Sequence, residues 1–169
     1  IWMAEAEKKE INDANALSLA TTSDKNEPSV RMILLKGVSQ KGFIFYTNLN
    51  SPKSHDLKKN PKAAMCFHWK SLRRQVRISG NITKVSDKEA DTYFDSRPYE
   101  SRIGTWASNQ SSVMQDRQDL LKKIADFKKK YKDKKNLPRP EHWSGWCLKP
   151  SSIEFWLGDE YRIHERLRY

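Results

Sequence analysis

Apolar and polar residues alternate most regularly over Arg74–Lys84. Val76, Ile78, Gly80 and Ile82 fall on one side, and Gln75, Arg77, Ser79, Asn81 and Thr83 on the other. A period of two over this length predicts a β-strand with one buried face. Ala16–Thr22 alternates more weakly and also reads as strand, and residues 24–28 follow as a turn. Residues 30–38 and 43–47 are apolar runs separated by Ser39-Gln40-Lys41-Gly42, which is a hairpin signal. Residues 63–69 form another apolar strand, and 146–149, 153–157 and 161–168 predict closing strands.

The helical period appears elsewhere. Residues 2–10 predict a short amphipathic helix, and 51–59 a second, stopped by Asn60-Pro61. Ser86-Asp87-Lys88-Glu89 is a capping box. The helix it opens runs to about Ser96, with Ala90, Tyr93 and Phe94 on one face, and Pro98 ends it. A further short helix is expected up to Trp106. Leu120, Ile124, Phe127 and Tyr131 recur at helical spacing and predict a longer helix over 114–131. Residues 137–140 are a proline-punctuated loop.

The order is strands, a helical block, then strands again. No βαβ alternation occurs, which argues against a doubly wound parallel sheet. The expected class is α+β, an antiparallel barrel with peripheral helices, in a single domain over 1–169.

Composition narrows the partners. Hydrophobic residues make up 37%, enough for a core. No apolar run reaches the ~20 residues needed to span a bilayer, so no membrane association is expected. The chain starts at Ile1, and no apolar stretch follows basic residues there. No signal peptide is read, and a cytoplasmic location is expected. Cys66 and Cys147 sit in apolar runs with no zinc or redox spacing, as buried thiols in a reducing compartment would. The net charge of +11 suits polyanions or small phosphorylated ligands. Much of the excess lies in Lys128, Lys129, Lys130, Lys132, Lys134 and Lys135, where a solvated helix end explains it. No nucleic-acid motif is present, and no nucleic-acid partner is expected.

Candidate chemistry is scattered. There is no GxGxxG, no GxxxxGK[ST] and no GxSxG, and His55, His68, His142 and His164 form no metal-ligand pattern. Phosphate-compatible groups recur instead. Arg31 and Lys36 bracket Met32-Ile33-Leu34-Leu35, although an edge strand with solvated tips would look the same. Tyr46-Thr47 and Ser51-Pro52-Lys53 lead from a strand into a helix start, which suits a phosphate or a plain helix cap. Tyr93, Arg97 and Ser101 recur at four-residue intervals across Pro98 and could hold a phosphate monoester or make a surface contact. On a strand, Arg162, His164 and Arg166 would share one face and repel one another without an anion between them.

Taken in order, seven segments resemble the pyridoxamine 5′-phosphate oxidase family. They are Arg31 to Lys36, Tyr46-Thr47-Asn48, Arg74-Gln75-Val76, Ser96-Arg97-Pro98, Gln110-Ser111-Ser112, Ile153-Glu154-Phe155-Trp156 and Arg162-Ile163-His164-Glu165-Arg166. The resemblance covers nearly the whole chain. It implies a Greek-key, FMN-binding split barrel acting as a homodimer, with flavin in the subunit interface. It implies oxidation of pyridoxamine or pyridoxine 5′-phosphate to pyridoxal 5′-phosphate, with O2 as acceptor and H2O2 as product.

Residue by residue, the resemblance assigns FMN to Arg31, Met32, Ile33, Leu34, Leu35, Lys36, Tyr46, Thr47, Lys53, Gln75, Gln110, Ser111, Trp156 and Arg166. Gln110 and Ser111 are expected from the partner subunit. Substrate phosphate falls to Lys36, Tyr93, Arg97 and Ser101, and Arg162 and His164 lie over the substrate ring as the catalytic pair. No metal is implied. The family commonly has Ser-Arg-Lys where this chain has Ser51-Pro52-Lys53, so Pro52 removes an arginine and a backbone donor from the FMN phosphate site. A related flavin oxidase acting on another aromatic substrate, such as a phenazine precursor, would share the FMN residues without needing Tyr93, Arg97, Ser101 and Arg162 together.

Overall fold

A computed structural model describes residues 1–108, 110–113, 116–132 and 137–169, with the side chain of Arg162 outside the description. The chain divides into two compact units. The first comprises Ile1–Phe45, His55–Thr83 and Trp146–Tyr169, and the second Tyr46–Ser54 and Lys84–Gly145.

The strands are β1 (Ala16–Thr22), β2 (Pro28–Leu34), β3 (Gly37–Ser39), β4 (Gly42–Asn48), β5 (Lys62–Trp69), β6 (Arg74–Lys84), β7 (Trp143–Leu157) and β8 (Glu165–Arg168). They pair in the order β2-β1-β5-β6-β7-β4-β3, with β8 also on β7. The β1–β2, β1–β5, β3–β4, β5–β6 and β7–β8 pairs are antiparallel. The strands β2 and β3 stand at opposite ends of this order, yet only Leu35 and Lys36 separate them in sequence. Three Cα steps reach roughly 11 Å, so the sheet must curl until its two edges meet. The Leu35 N–H donates to Asn15 O at 2.8 Å and the Lys36 N–H to Ile44 O at 2.8 Å, so the chain changes partner between adjacent residues. That corner splits the run expected over 30–38 into two strands.

Alternation sets which side chains enter the barrel. Leu17, Leu19, Met65, Phe67, Val76, Ile78 and Ile82 are buried, as the period-two pattern requires. Gly42 has φ 136°, and a Cβ there would lie 2.1 Å from Leu148 O, so the β3–β4 turn needs glycine. Two closing strands differ from the sequence reading. Residues 146–149 and 153–157 belong to one continuous strand, β7, because Pro150 removes one donor without stopping the pairing. The strand expected over 161–168 begins only at Glu165. Glu160–Arg162 is a 3-10 turn with Tyr161 at φ 55°, so Arg162 and His164 do not share a strand face with Arg166.

The helices are α1 (Trp2–Lys9), α2 (Pro52–Lys59), α3 (Asp87–Ser96), α4 (Tyr99–Ala107) and α5 (Arg117–Lys130). The Ser86 hydroxyl accepts from the Glu89 N–H at 3.2 Å and caps α3. Asp116 caps α5 through the Gln118 N–H at 2.9 Å, so that helix starts after 114–115, which lie outside the described residues. In the second unit Phe94, Ile103, Leu137 and Trp143 form a buried cluster, with Tyr46, Tyr93, Trp106 and Phe127 packed against it. Each large side chain buried in this way contributes roughly 1.5–3 kcal/mol. Among the described residues no helix is long and apolar enough to cross a membrane.

Candidate active site

The second unit contains a cavity of ≈ 330 Å³ lined by Tyr46, Thr47, Asn48, Arg97, Ser101, Gly104, Thr105, Ser108, Gln110 and Trp143. Tyr46, Thr47, Arg97, Ser101 and Gln110 are all residues the sequence pointed to. Arg97 ends α3 in an extended conformation (φ −79°, ψ 150°), as a residue before proline prefers. Pro98 then starts α4, and Ser101 follows within its first turn.

Arg97 is held on two sides. Its Nη1 donates to Thr105 Oγ1 at 2.7 Å, and its Cζ lies 4.8 Å from the Trp143 ring centroid. Burial lowers its pKa from the ordinary arginine value, with Tyr93 opposing that shift and Arg102 adding to it. The guanidinium nonetheless stays charged. Burial also raises the Tyr93 pKa, against the pull of the Arg97 charge, so the phenol keeps its proton and can donate.

Three aromatic rings stack beside this arginine. Tyr46 lies 3.9 Å from Tyr93 and 5.3 Å from Trp143, both at 12°. The stack needs Gly145, where a Cβ would sit 2.8 Å from Tyr46 Cδ1 and Cε1. Arg139 fixes Trp143 by donating to its carbonyl at 2.7 Å while pairing with Asp91 at 2.6 Å and Asp87 at 3.1 Å.

A second group of polar atoms surrounds Lys53, which is 6% exposed. Its Nζ donates to Thr47 Oγ1 at 3.2 Å and Ser51 Oγ at 3.1 Å. The Thr47 hydroxyl in turn donates to Gln110 Oε1 at 3.1 Å, which also accepts from the Asn48 N–H at 3.1 Å. Gln110 therefore meets Thr47 of its own chain. Ser111 follows at φ 64°. A buried ammonium with hydroxyls at the start of α2 is chemically suited to a phosphate.

In the first unit Arg31 lies on β2 with its guanidinium tied down. Nη1 donates to Thr21 Oγ1 at 2.7 Å and to Leu19 O and Ser29 O at 3.2 Å, and Nη2 donates to Ser29 Oγ at 2.7 Å. Burial lowers its pKa, with Asp56 opposing. Along the same strand Met32 and Leu34 are exposed, Ile33 is half-buried, Leu35 is buried and Lys36 is exposed. Gln75 is half-buried on β6, opposite His68.

Trp156 pairs with Arg166 across β7 and β8, and its ring lies 4.8 Å from that of His164. His164 Nδ1 accepts from the Asp159 N–H at 3.2 Å, and Arg166 pairs with Glu154 at 3.4 Å. The structure thus gathers Trp156, His164 and Arg166, while the side chain of Arg162 lies outside the described residues.

The sequence reading passed over Trp143, Thr105 and Gly145. Thr105 lies at i+4 from Ser101 on one helix, a spacing that was visible. Trp143 and Gly145 sit N-terminal to the strand start expected at 146, so their inward direction was hidden until β7 proved longer.

Comparisons with known proteins agree with this geometry. Residues 3–131 match the family model for pyridoxamine 5′-phosphate oxidase. Residues 143–169 match that for the pyridoxine 5′-phosphate oxidase C-terminal dimerisation region, which implies a homodimer. A pyridoxine/pyridoxamine 5′-phosphate oxidase of Pelagibacter ubique is 63% identical over 169 residues, covering 100% of this chain and 81% of the relative. One of Agrobacterium fabrum is 51% identical over 168 residues, covering 99% and 81%. Among solved structures, PhzG of Burkholderia lata 383, in complex with tetrahydrophenazine-1-carboxylic acid, superposes with a TM-score of 0.92 at 30% identity, covering 99% of this chain and 82% of that one. A pyridoxamine 5′-phosphate oxidase-related, FMN binding protein of Nostoc punctiforme shares the fold at a TM-score of 0.73 and 14% identity, covering 99% and 95%. With models of one enzyme matching both parts of its length, this chain belongs to the pyridoxamine 5′-phosphate oxidase family and has its FMN-binding split-barrel fold.

Proposed function

We propose that the chain is an FMN-dependent oxidase that converts pyridoxamine or pyridoxine 5′-phosphate to pyridoxal 5′-phosphate. O2 is the acceptor and H2O2 the product, and with the amine substrate water is also consumed and ammonia released. The observation that carries this reading is Arg97, clamped between Thr105 and Trp143 in a cavity that also contains Ser101. A fixed guanidinium with a nearby hydroxyl suits a phosphate monoester. The identity of 63% to a named oxidase over the full chain supports the same substrate.

FMN, when bound, supplies the two-electron acceptor. Lys53 and Thr47 would hold its phosphate, and the remaining FMN residues expected from the sequence complete the proposed set. The flavin would lie in the subunit interface of the homodimer, and residues 1–169 would act as one domain. Arg97, Ser101, Tyr93 and Lys36 would hold the substrate phosphate. Tyr93 keeps its proton and can donate to that phosphate. Arg162 would orient the substrate ring, and His164 would contact the same ring and assist proton movement. Anchoring both ligands by their phosphates fixes the distance between reacting atoms, which is where the protein contributes most to the rate.

A second reading, a flavin oxidase of the phenazine-precursor type, draws on the likeness to PhzG, which is bound to a carboxylic acid without phosphate. The phosphate-compatible set Tyr93, Arg97 and Ser101 favours the vitamer. The test is direct. Purified protein with added FMN should be yellow, and it should form peroxide with pyridoxamine 5′-phosphate. A protein that binds FMN but turns over only unphosphorylated aromatic acids would establish the second reading, and one that ignores FMN would exclude both.

A further inference from the structure

The Thr21 side chain has one hydroxyl proton and two lone pairs. Its Oγ1 lies 2.6 Å from Asp56 Oδ2, an acceptor, and 2.7 Å from Arg31 Nη1, a donor. The carboxylate can only take the proton and the guanidinium can only give one, so the polarity of the hydroxyl is fixed. It donates to Asp56 and presents its lone pairs to Arg31. Thr21 is 2% exposed, so little water competes for either bond. Asp56 also faces Arg31 Nη2 directly, but at 4.0 Å, with both side chains mostly buried.

A carboxylate at this distance weakens the field that an arginine presents to a bound anion. Asp56 is therefore unfavourable to anion binding as a charge, and its contribution must come through order. We propose that Asp56, acting through Thr21, is a positioning residue that sets the Arg31 guanidinium for the FMN phosphate. The inference rests on the assignment of Arg31 to FMN made above, narrowed here to the FMN phosphate.

Equilibrium binding of FMN and of riboflavin to the apoprotein separates the possibilities. Arg31→Ala should weaken FMN at least about tenfold and leave riboflavin nearly unchanged. Thr21→Val and Asp56→Ala should each weaken FMN about threefold to tenfold without affecting riboflavin, and the double variant should be no worse than either alone. Thr21→Ser keeps the hydroxyl and should restore binding. Asp56→Asn keeps an acceptor and removes the charge, so it should bind FMN at least as well as the parent. These two conservative variants serve even where the truncations unfold.

The proposal is overturned if Asp56→Ala binds FMN as tightly as the parent or more tightly, since Asp56 would then be a competitor. It is also overturned if FMN and riboflavin weaken together, which would mark a purely structural role. An Arg31→Ala variant with unchanged FMN affinity would remove the assignment beneath it, and the positioning role with it.

Discussion

The rings of Tyr46 and Tyr93 stack face to face with centroids 3.9 Å apart at 12°. This contact buries part of the Tyr93 phenol, and burial raises its pKa above the ordinary tyrosine value of about 10, with Arg97 pulling the other way. The folded state therefore holds the Tyr93 proton more tightly than the unfolded chain. The resulting stability is complete below pH ~10 and is lost as pH rises through the folded-state pKa. Unfolding curves measured from pH 8 to 11 should show the parent losing more stability above pH ~10 than Tyr93→Phe. The same variant should raise the KM for pyridoxamine 5′-phosphate roughly tenfold to a hundredfold, through one lost hydrogen bond to a charged group.

Arg97 should separate the two phosphate sites. Arg97→Ala removes the charge-assisted contact and should raise the substrate KM by about ten- to a hundredfold. FMN affinity should change less than twofold by fluorescence titration, since Lys53 bonds Thr47 and Ser51 while Arg97 bonds Thr105, even though Thr47 and Arg97 line the same cavity. Arg97→Lys keeps a charge but loses the planar fork that bonds Thr105 and stacks on Trp143, so it should recover only part of the loss. Equal losses of substrate and FMN binding would refute the division.

Pro52 offers a gain-of-affinity test. It occupies the first position of α2 and is exposed, a place where proline is well tolerated. Pro52→Arg restores the cation common in the family and should tighten FMN about threefold to tenfold, with riboflavin unaffected. The apoprotein should lose a little stability, because proline restricts the unfolded chain. Unchanged FMN binding would mean that position 52 does not reach the phosphate.

Much of this arrangement was legible in the sequence, because local pattern dictates it. The alternation over Arg74–Lys84 gave the buried face of β6, and Ser86 to Glu89 gave the start of α3. Proline after Arg97 was enough to anticipate the break that turns the chain into α4. What escaped depends on partners distant in sequence. The split between β2 and β3 follows from Leu35 bonding Asn15 while Lys36 bonds Ile44. The left-handed conformation of Tyr161 cancels the strand expected there, although tyrosine itself gives no warning of it. Gln110 turns toward its own Thr47, a pairing 63 residues apart that no local pattern encodes.

Gly104 tests whether the cavity is shaped for a ligand. It sits inside α4, where glycine costs roughly 0.5–1 kcal/mol relative to alanine. Nothing among the described residues demands it there. Its φ is not positive, and an added Cβ would meet no atom of the described residues within 4 Å. It nevertheless lines the cavity with Arg97 and Ser101, so a methyl group would occupy space a ligand could use. Gly104→Ala should therefore raise the stability of the apoprotein by about 0.5–1 kcal/mol in urea unfolding. It should also raise the KM for pyridoxamine 5′-phosphate by about fivefold to a hundredfold, on the order of the 1–3 kcal/mol that overpacking a fitted site costs. Gains in stability with unchanged KM would show that the substrate does not approach α4 at this turn.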